Sequence, residues 1–157
     1  MLVYTTVVER RDIVLSRRVK NVMERGKLLT APPEMTVSEA AKQMARRRVG
    51  AILVVDRQNL IGIFTERDAL FRVIAQNRDF HATRLADVMT PAPQTVAPDK
   101  SFGYALLLMH ENGYRHLPVV ENGRLVGIVS TRNALDPDLE EFAVESQRRE
   151  DFLREHT

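Results

Sequence analysis

Between residues 36 and 74 the spacing of apolar positions changes character several times, and each change marks an element. Val37, Ala40, Ala41 and Met44 fall at i, i+3, i+4 and i+7, the pattern of a helix that buries one stripe. Thr36-Val37-Ser38-Glu39 opens that helix as a capping box, the hydroxyl and the carboxylate each satisfying a free backbone N–H. Two short runs follow, Ala51–Val55 and Leu60–Phe64, rich in Val and Ile and read as strands. A further helix is predicted with Ala69, Leu70, Val73 and Ile74 on one side. The same order then returns. Phe102, Ala105, Leu106 and Met109 repeat the helical stripe behind Ser101 as cap, and Leu117–Val120 and Leu125–Val129 repeat the strands. Between those two runs, Asn122-Gly123 is a strong hairpin signal.

The return is a repeat of sequence as well as of pattern. Val49–Leu70 aligned with Tyr114–Leu135 shares eight of 22 residues without a gap, among them Gly62/Gly127, Ile63/Ile128 and Arg67/Arg132. Chance at ordinary amino-acid frequencies gives roughly one or two. Short lead-ins also match, Val19-Lys20-Asn21-Val22-Met23 with Leu85-Ala86-Asp87-Val88-Met89, at an offset of 66 rather than 65. Ala31-Pro32-Pro33 and Thr90-Pro91-Ala92-Pro93 punctuate the entries, since proline blocks helix continuation. A unit of roughly 60 residues is marginal by itself, so two copies are expected to complete one buried surface. The division expected is an arm at 1–16, repeats at 17–78 and 79–136, and a helical tail at 137–157. Leu2–Val8 reads as a strand or a swapped arm, and 138–156 as a charged amphipathic helix.

Composition narrows the class. The 157 residues suit one ordinary domain, with 44% hydrophobic and 28% charged residues. The absence of cysteine removes disulfides, thiolate nucleophiles and cysteine-based zinc sites together. His81, His110, His116 and His156 lack metal-ligand spacing, so no metal is expected. Twenty-three basic residues are dispersed among 21 acidic ones, a pattern without the basic stripe that nucleic-acid binding needs. MLVYTTVVERRD lacks the layout of a signal peptide, and no apolar run reaches the ~20 residues of a membrane span. Cytoplasm is the expected compartment, with no membrane insertion.

The two copies part at their polar ends, Thr65-Glu66-Arg67-Asp68 against Ser130-Thr131-Arg132-Asn133. Thr65 falls at a strand-to-helix turn, where free N–H groups and the helix dipole favour a phosphate. Asp68, one turn later, offers two acceptor oxygens suited to a vicinal diol. Gly62 removes a side chain where a ligand would approach the backbone closely. The same Thr-x-x-Asp also fits a plain helix cap. The two roles are compatible. In the second copy Asn133 replaces the acid, and an amide cannot accept from both hydroxyls of a diol.

Taken together, the Val-x-x-Val-Met lead-in, the capped helix, Leu53-Val54-Val55-Asp56, and Gly62-Ile63-Phe64-Thr65-Glu66-Arg67-Asp68 resemble the CBS domain, the module named after cystathionine β-synthase. The last stretch is similar to that family's Gly-x-x-Thr/Ser-x-x-Asp nucleotide motif, and the resemblance covers roughly residues 17–135. It implies an α+β fold of two pseudo-symmetric β-α-β-β-α halves packed through their sheets. It implies two clefts that take adenosine compounds, such as AMP, ADP, ATP, NAD or S-adenosylmethionine. One cleft would use Thr65, Arg67, Asp68, Thr95, Val96, Arg115, His116 and Leu117, with apolar residues around adenine and Arg115 or His116 at phosphate. The second, weaker one would use Thr30, Ala31, Gly50, Ala51, Ile52, Ser130 and Asn133. It further implies a homodimer joined through the final helices of both copies.

Arg46-Arg47-Arg48 closes a helix, where cations suit the negative end of the dipole, so a solvated terminus, or else a phosphate or partner contact, is read there. The six methionines mostly sit at core spacing. No Ser/His/Asp or phosphate-loop signature is present, so an enzyme is not expected and no cofactor is required. The expected role is a regulatory adenine-nucleotide sensor acting on a partner protein of unknown identity. The alternative is a ligand-free module for oligomerisation.

Overall fold

The computed structural model describes residues 12–26 and 28–134. The arm at 1–11 and the tail from 135 onward, with the strand, swapped-arm and helix readings made for them, lie outside the described residues.

Helix α1 (Val37–Arg47) begins with the capping box read from sequence. The Glu39 backbone N–H donates to Thr36 Oγ1 at 3.3 Å, and the Thr36 N–H donates to Glu39 Oε2 at 3.0 Å. Its apolar stripe buries Val37, Ala40 and Met44 against a hairpin of β2 (Ala51–Asp56) and β3 (Asn59–Thr65). The turn between those strands puts Arg57 and Gln58 at φ 45° and 71°. Both angles are those of the hairpin turn that matches sheet twist, adopted without the asparagine and glycine that favour it. Strand β1 (Thr30–Ala31) runs parallel to β2, with Ala31 opposite Val54.

Beyond β3 the chain makes one α-turn, α2 (Glu66–Asp68), and then widens into a π-helix over Ala69–Ile74. The widening changes which side chains face the core. Val73 is buried, whereas Leu70, Phe71 and Ile74 are exposed, so the expected single stripe of Ala69, Leu70, Val73 and Ile74 is split.

The second copy rebuilds the pattern with α3 (Leu85–Val88), β4 (Thr90–Pro91), α4 (Phe102–Asn112) and the hairpin β5 (His116–Glu121) and β6 (Arg124–Ser130). Asn122 and Gly123 form its turn with φ 49° and 75°. Val96 bridges Val119 in parallel, as Ala31 faces Val54 65 residues earlier. Ser130 leads into a short 3₁₀ turn, Thr131–Ala134.

The lead-ins are exchanged between the copies. Strand β4, from the second lead-in, pairs with β3 of the first copy, placing Pro91 opposite Gly62 and Thr90 opposite Ile63. Glu24, from the first lead-in, bridges Ile128 of β6. The cores follow suit. Leu85 and Val88 are buried among Val37, Ile52, Val54 and Phe64, and Val19 is buried among Phe102, Met109, Leu117 and Val129. A third apolar cluster, Leu53 and Ile63 with Leu60, Leu125 and Ile128, joins the two sheets. Neither copy can be lifted out without opening the other's core.

This exchange corrects the reading of Gly62. A Cβ built there would lie 2.2 Å from Met89 Sδ, and one at Gly127 would lie 2.7 Å from Met23 Sδ. The space left by each glycine is filled by the methionine of the opposite lead-in, not kept open for a ligand.

A candidate nucleotide cleft and its unequal twin

The exchange sets the end of β3 and the start of α2 beside the loop between α4 and β5. A cavity of about 200 Å3 opens there, lined among others by Thr65, Arg67, Asp68, Arg72, Thr90, Tyr114, Arg115 and His116. Each half supplies part of the wall.

Thr65 and Asp68 form the capping box that sequence left as an alternative. The Asp68 N–H donates to Thr65 Oγ1 at 3.4 Å, while the Thr65 N–H and hydroxyl donate to Asp68 Oδ2 at 2.9 and 3.0 Å. Arg72 Nε forms an ion pair with Asp68 Oδ1 at 3.3 Å. An ionised carboxylate has about four lone-pair sites. Both hydrogen bonds use Oδ2, so Oδ1 remains able to accept from a further donor.

The other cations of this cleft are also engaged. Arg67 Nη1 donates to the Gly113 carbonyl at 3.1 Å, and Arg72 Nη1 to the Val88 carbonyl at 3.0 Å. Arg115 pairs with Glu66 at 2.9 Å across the two copies, both side chains about half exposed. An exposed pair of this kind is worth about 0–1 kcal/mol, so an anionic ligand can displace Glu66 from Arg115 at low cost. His116 is held below the ordinary imidazole pKa, first by burial, and by the nearby Arg115 and Arg132 against the opposing pull of Glu66 and Glu24. It is neutral near pH 7 and able to donate one N–H.

A second cavity, about 50 Å3, occupies the pseudo-equivalent place and is lined by Glu24, Arg48, Val49, Gly50, Ala51, His116, Ile128, Ser130 and Arg132. Position by position it mirrors the first: Ser130 for Thr65, Arg132 for Arg67, Gly50 for Arg115, Ala51 for His116, Glu24 for Thr90. Asn133 repeats the cap, its Oδ1 accepting from the Ser130 N–H at 2.7 Å and hydroxyl at 3.2 Å. Its amide nitrogen donates to Glu24 Oε1 at 3.3 Å. His116 lines both cavities.

The structure brings together Thr65, Arg67, Asp68, Arg115 and His116 in the first cleft and Gly50, Ala51 and Ser130 in the second. It does not place the side chains of Val96 and Leu117, or of Ala31 and Ile52, in either wall; all four are core residues. Strand alternation is the cause. On β5, His116 and Pro118 face the cleft, so Leu117 and Val119 face the core. Thr95 and Thr30 are exposed and line neither cavity, and Asn133 stands behind Ser130 rather than in the wall. Sequence reasoning missed Thr90, Tyr114, Arg72 and Glu24, and it read Arg48 only as part of the Arg46-Arg47-Arg48 run, without assigning it to a cleft. Thr90 and Glu24 each follow the lead-in methionine, so the 66-residue offset was the signal available for them.

Comparison with known proteins places this architecture. The pattern of the CBS domain matches residues 19–75 and again 85–138. The chain belongs to the CBS-domain family. It is 34% identical over 134 residues to CBSX3, a mitochondrial CBS domain-containing protein of Arabidopsis thaliana, covering 82% of this chain and 65% of that one. It spans only 20–25% of the length of several longer Arabidopsis CBS proteins. A Pyrobaculum aerophilum CBS domain protein complexed with AMP superposes with a TM-score of 0.70 at 28% identity, covering 82% of this chain and 99% of that one. The CBS domain pair of protein MJ0100, in complex with 5′-methylthioadenosine and S-adenosyl-L-methionine, gives 0.67 at 26% identity, with 74% and 91% covered. Among the described residues, no helix is long and apolar enough to cross a membrane.

Proposed function

We propose that this CBS pair is a regulatory module that binds an adenine ribonucleotide in the first cleft and passes the occupancy on to a partner protein. One observation carries the reading: Thr65 and Asp68 of one copy and Arg115 and His116 of the other converge on the larger cavity. Asp68 would accept a ribose hydroxyl on Oδ1, and Thr65, at the α2 N-terminus, would meet phosphate with Arg115. Solved relatives holding AMP or S-adenosyl-L-methionine support an adenosine ligand, with AMP, ADP, ATP and NAD as the series to test. The module acts by binding rather than catalysis. Leu70, Phe71 and Ile74 leave an apolar face suited to a symmetric homodimer.

A second reading, a ligand-free assembly module, draws support from the capping box, which gives Thr65 and Asp68 a purely local purpose. Asp68→Asn separates the two. The second copy shows that asparagine caps this turn well, and the exposed Arg72 partner adds little, so the melting temperature without ligand should barely change. Calorimetry should show AMP affinity falling about 10- to 100-fold, the loss of a charge-assisted hydrogen bond worth roughly 1.5–3 kcal/mol. Wild type should also prefer AMP to its 2′-deoxy analogue. Unchanged AMP affinity with a clearly destabilised apo protein would make Asp68 a cap alone.

A further inference from the structure

Arg48 ends α1 in the left-handed region, at φ 53° and ψ 44°. A side chain there costs about 1–2 kcal/mol. The position 65 residues later is Gly113, at φ 68° and ψ 23°. The two helix ends are otherwise alike. The Arg48 and Val49 N–H groups donate to Ala45 and Met44 carbonyls at 3.2 and 3.1 Å, and Gly113 and Tyr114 to His110 and Met109 at 3.3 and 2.8 Å. Helix termination therefore does not call for arginine. A cation suits the negative end of the helix dipole, but glycine ends the twin helix with less strain, so where the arginine side chain lies is the informative point.

Its place is the second cleft. Arg48 from one copy and Arg132 from the other stand in the same wall, with the Ser130 hydroxyl and the neutral ring of His116. Among the described residues neither guanidinium has an ion pair, in contrast to Arg72 and Arg115 in the first cleft. Glu24 is the single carboxylate in the wall, held by Asn133, and Glu66, folded over Gly50, is neutralised by Arg115. The cavity of about 50 Å3 is a quarter of the first cleft's about 200 Å3 and holds a few waters at about 10–15 Å3 each, too little for a nucleoside. Asn133 has both polar atoms committed, so the position that mirrors Asp68 has no acceptor left for a diol.

We propose that the second cleft is a site for one phosphate-sized oxyanion, clamped between Arg48 and Arg132, and not for a nucleoside. Arginine presents a planar fork of donors that matches phosphate oxygens, and here one fork comes from each copy. The phosphate group is supplied either by inorganic phosphate or by the terminal phosphate of a nucleotide. The inference deepens the reading of the paired clefts, but it does not require a nucleotide in the first.

The test is calorimetric titration of the full chain with inorganic phosphate, against chloride at matched ionic strength, with and without saturating AMP. Wild type should bind an Arg48-dependent equivalent of phosphate in both conditions. Arg48→Gly, which removes strain and should not lower the melting temperature, and Arg132→Gln should each weaken that equivalent about tenfold or more. AMP affinity in Arg48→Gly should stay at the wild-type value. Competition by ATP, lost in Arg48→Gly, identifies a nucleotide's terminal phosphate as the source. Its absence identifies inorganic phosphate. The clamp is overturned by no phosphate binding in wild type, by undiminished binding in both variants, or by a second AMP equivalent that vanishes in Arg48→Gly. Loss of AMP binding alone, with phosphate binding intact, would count only against the first-cleft reading.

Discussion

The first cleft keeps its acid on the helix, at Asp68, and faces it with Thr90 from the exchanged strand; the second puts an amide, Asn133, on the helix and the acid, Glu24, opposite. The caps share two hydrogen bonds, from the backbone N–H and the hydroxyl of Thr65 or Ser130 to the side chain three residues on, while the return bond from the Asp68 N–H to Thr65 is made in the first copy. What differs is what each cap leaves over. Asp68 Oδ1 retains acceptor capacity toward a cavity of about 200 Å3, while the Asn133 amide nitrogen is spent on Glu24 beside one of about 50 Å3. Two sites can therefore share a fold, a cap and a serine or threonine hydroxyl and still be built for different chemistry. The cations divide the same way, engaged by protein groups in the first cleft and held without ion pairs among the described residues in the second.

Asn133→Asp attacks that difference directly. It restores the sequence motif of the first copy, yet it sets a carboxylate about where the amide nitrogen lies 3.3 Å from Glu24 Oε1. Two like charges 4 Å apart repel by about 1 kcal/mol in water and about 4 kcal/mol near a protein surface. A loss of about 2–3 kcal/mol in denaturant unfolding at neutral pH is expected, largely recovered in the double variant with Glu24→Thr. Full stability of the single variant would show that the Glu24–Asn133 contact does not set the second cleft apart.

Gly62→Ala and Gly127→Ala test the exchange that builds both clefts. A methyl at Gly62 meets Met89 Sδ at 2.2 Å, closer than the 2.7 Å at Gly127 to Met23 Sδ. Overpacking of this kind costs about 1–3 kcal/mol, and a flexible methionine keeps it toward the lower end. Gly62→Ala should be the more costly of the two and should also weaken AMP binding, because β4 carries Thr90. Equal, negligible effects would mean the lead-ins are not held through these notches.

The smallest effect concerns His116, the wall shared by both clefts. Burial lowers its pKa in the folded state, so the unfolded chain binds the proton more readily. Stability from this group is present above the ordinary value of 6.5 and declines as pH falls below it. Melting temperatures between about pH 8 and about pH 5.5 should fall for wild type and flatten in His116→Gln. Identical profiles would remove His116 as a sensor of either cleft.

The order of elements, the Thr36 and Thr65 caps, the Asn122-Gly123 turn and the duplication all rest on contacts within three or four residues, or on comparison of the chain with itself. Those features the sequence by itself determined. Asp68 and Thr65 were legible for the same reason, being neighbours along the chain. The tertiary structure alone decided that Met89 fills the notch at Gly62, that Glu24 meets Asn133 from 109 residues away, and that Arg48 shares a wall with Arg132. It also decided which strand residues face a cleft, sending Leu117 and Ile52 inward. Local hydrogen bonds are encoded where they form, whereas an exchanged lead-in depends on two distant segments meeting, and no short pattern in either one records its partner.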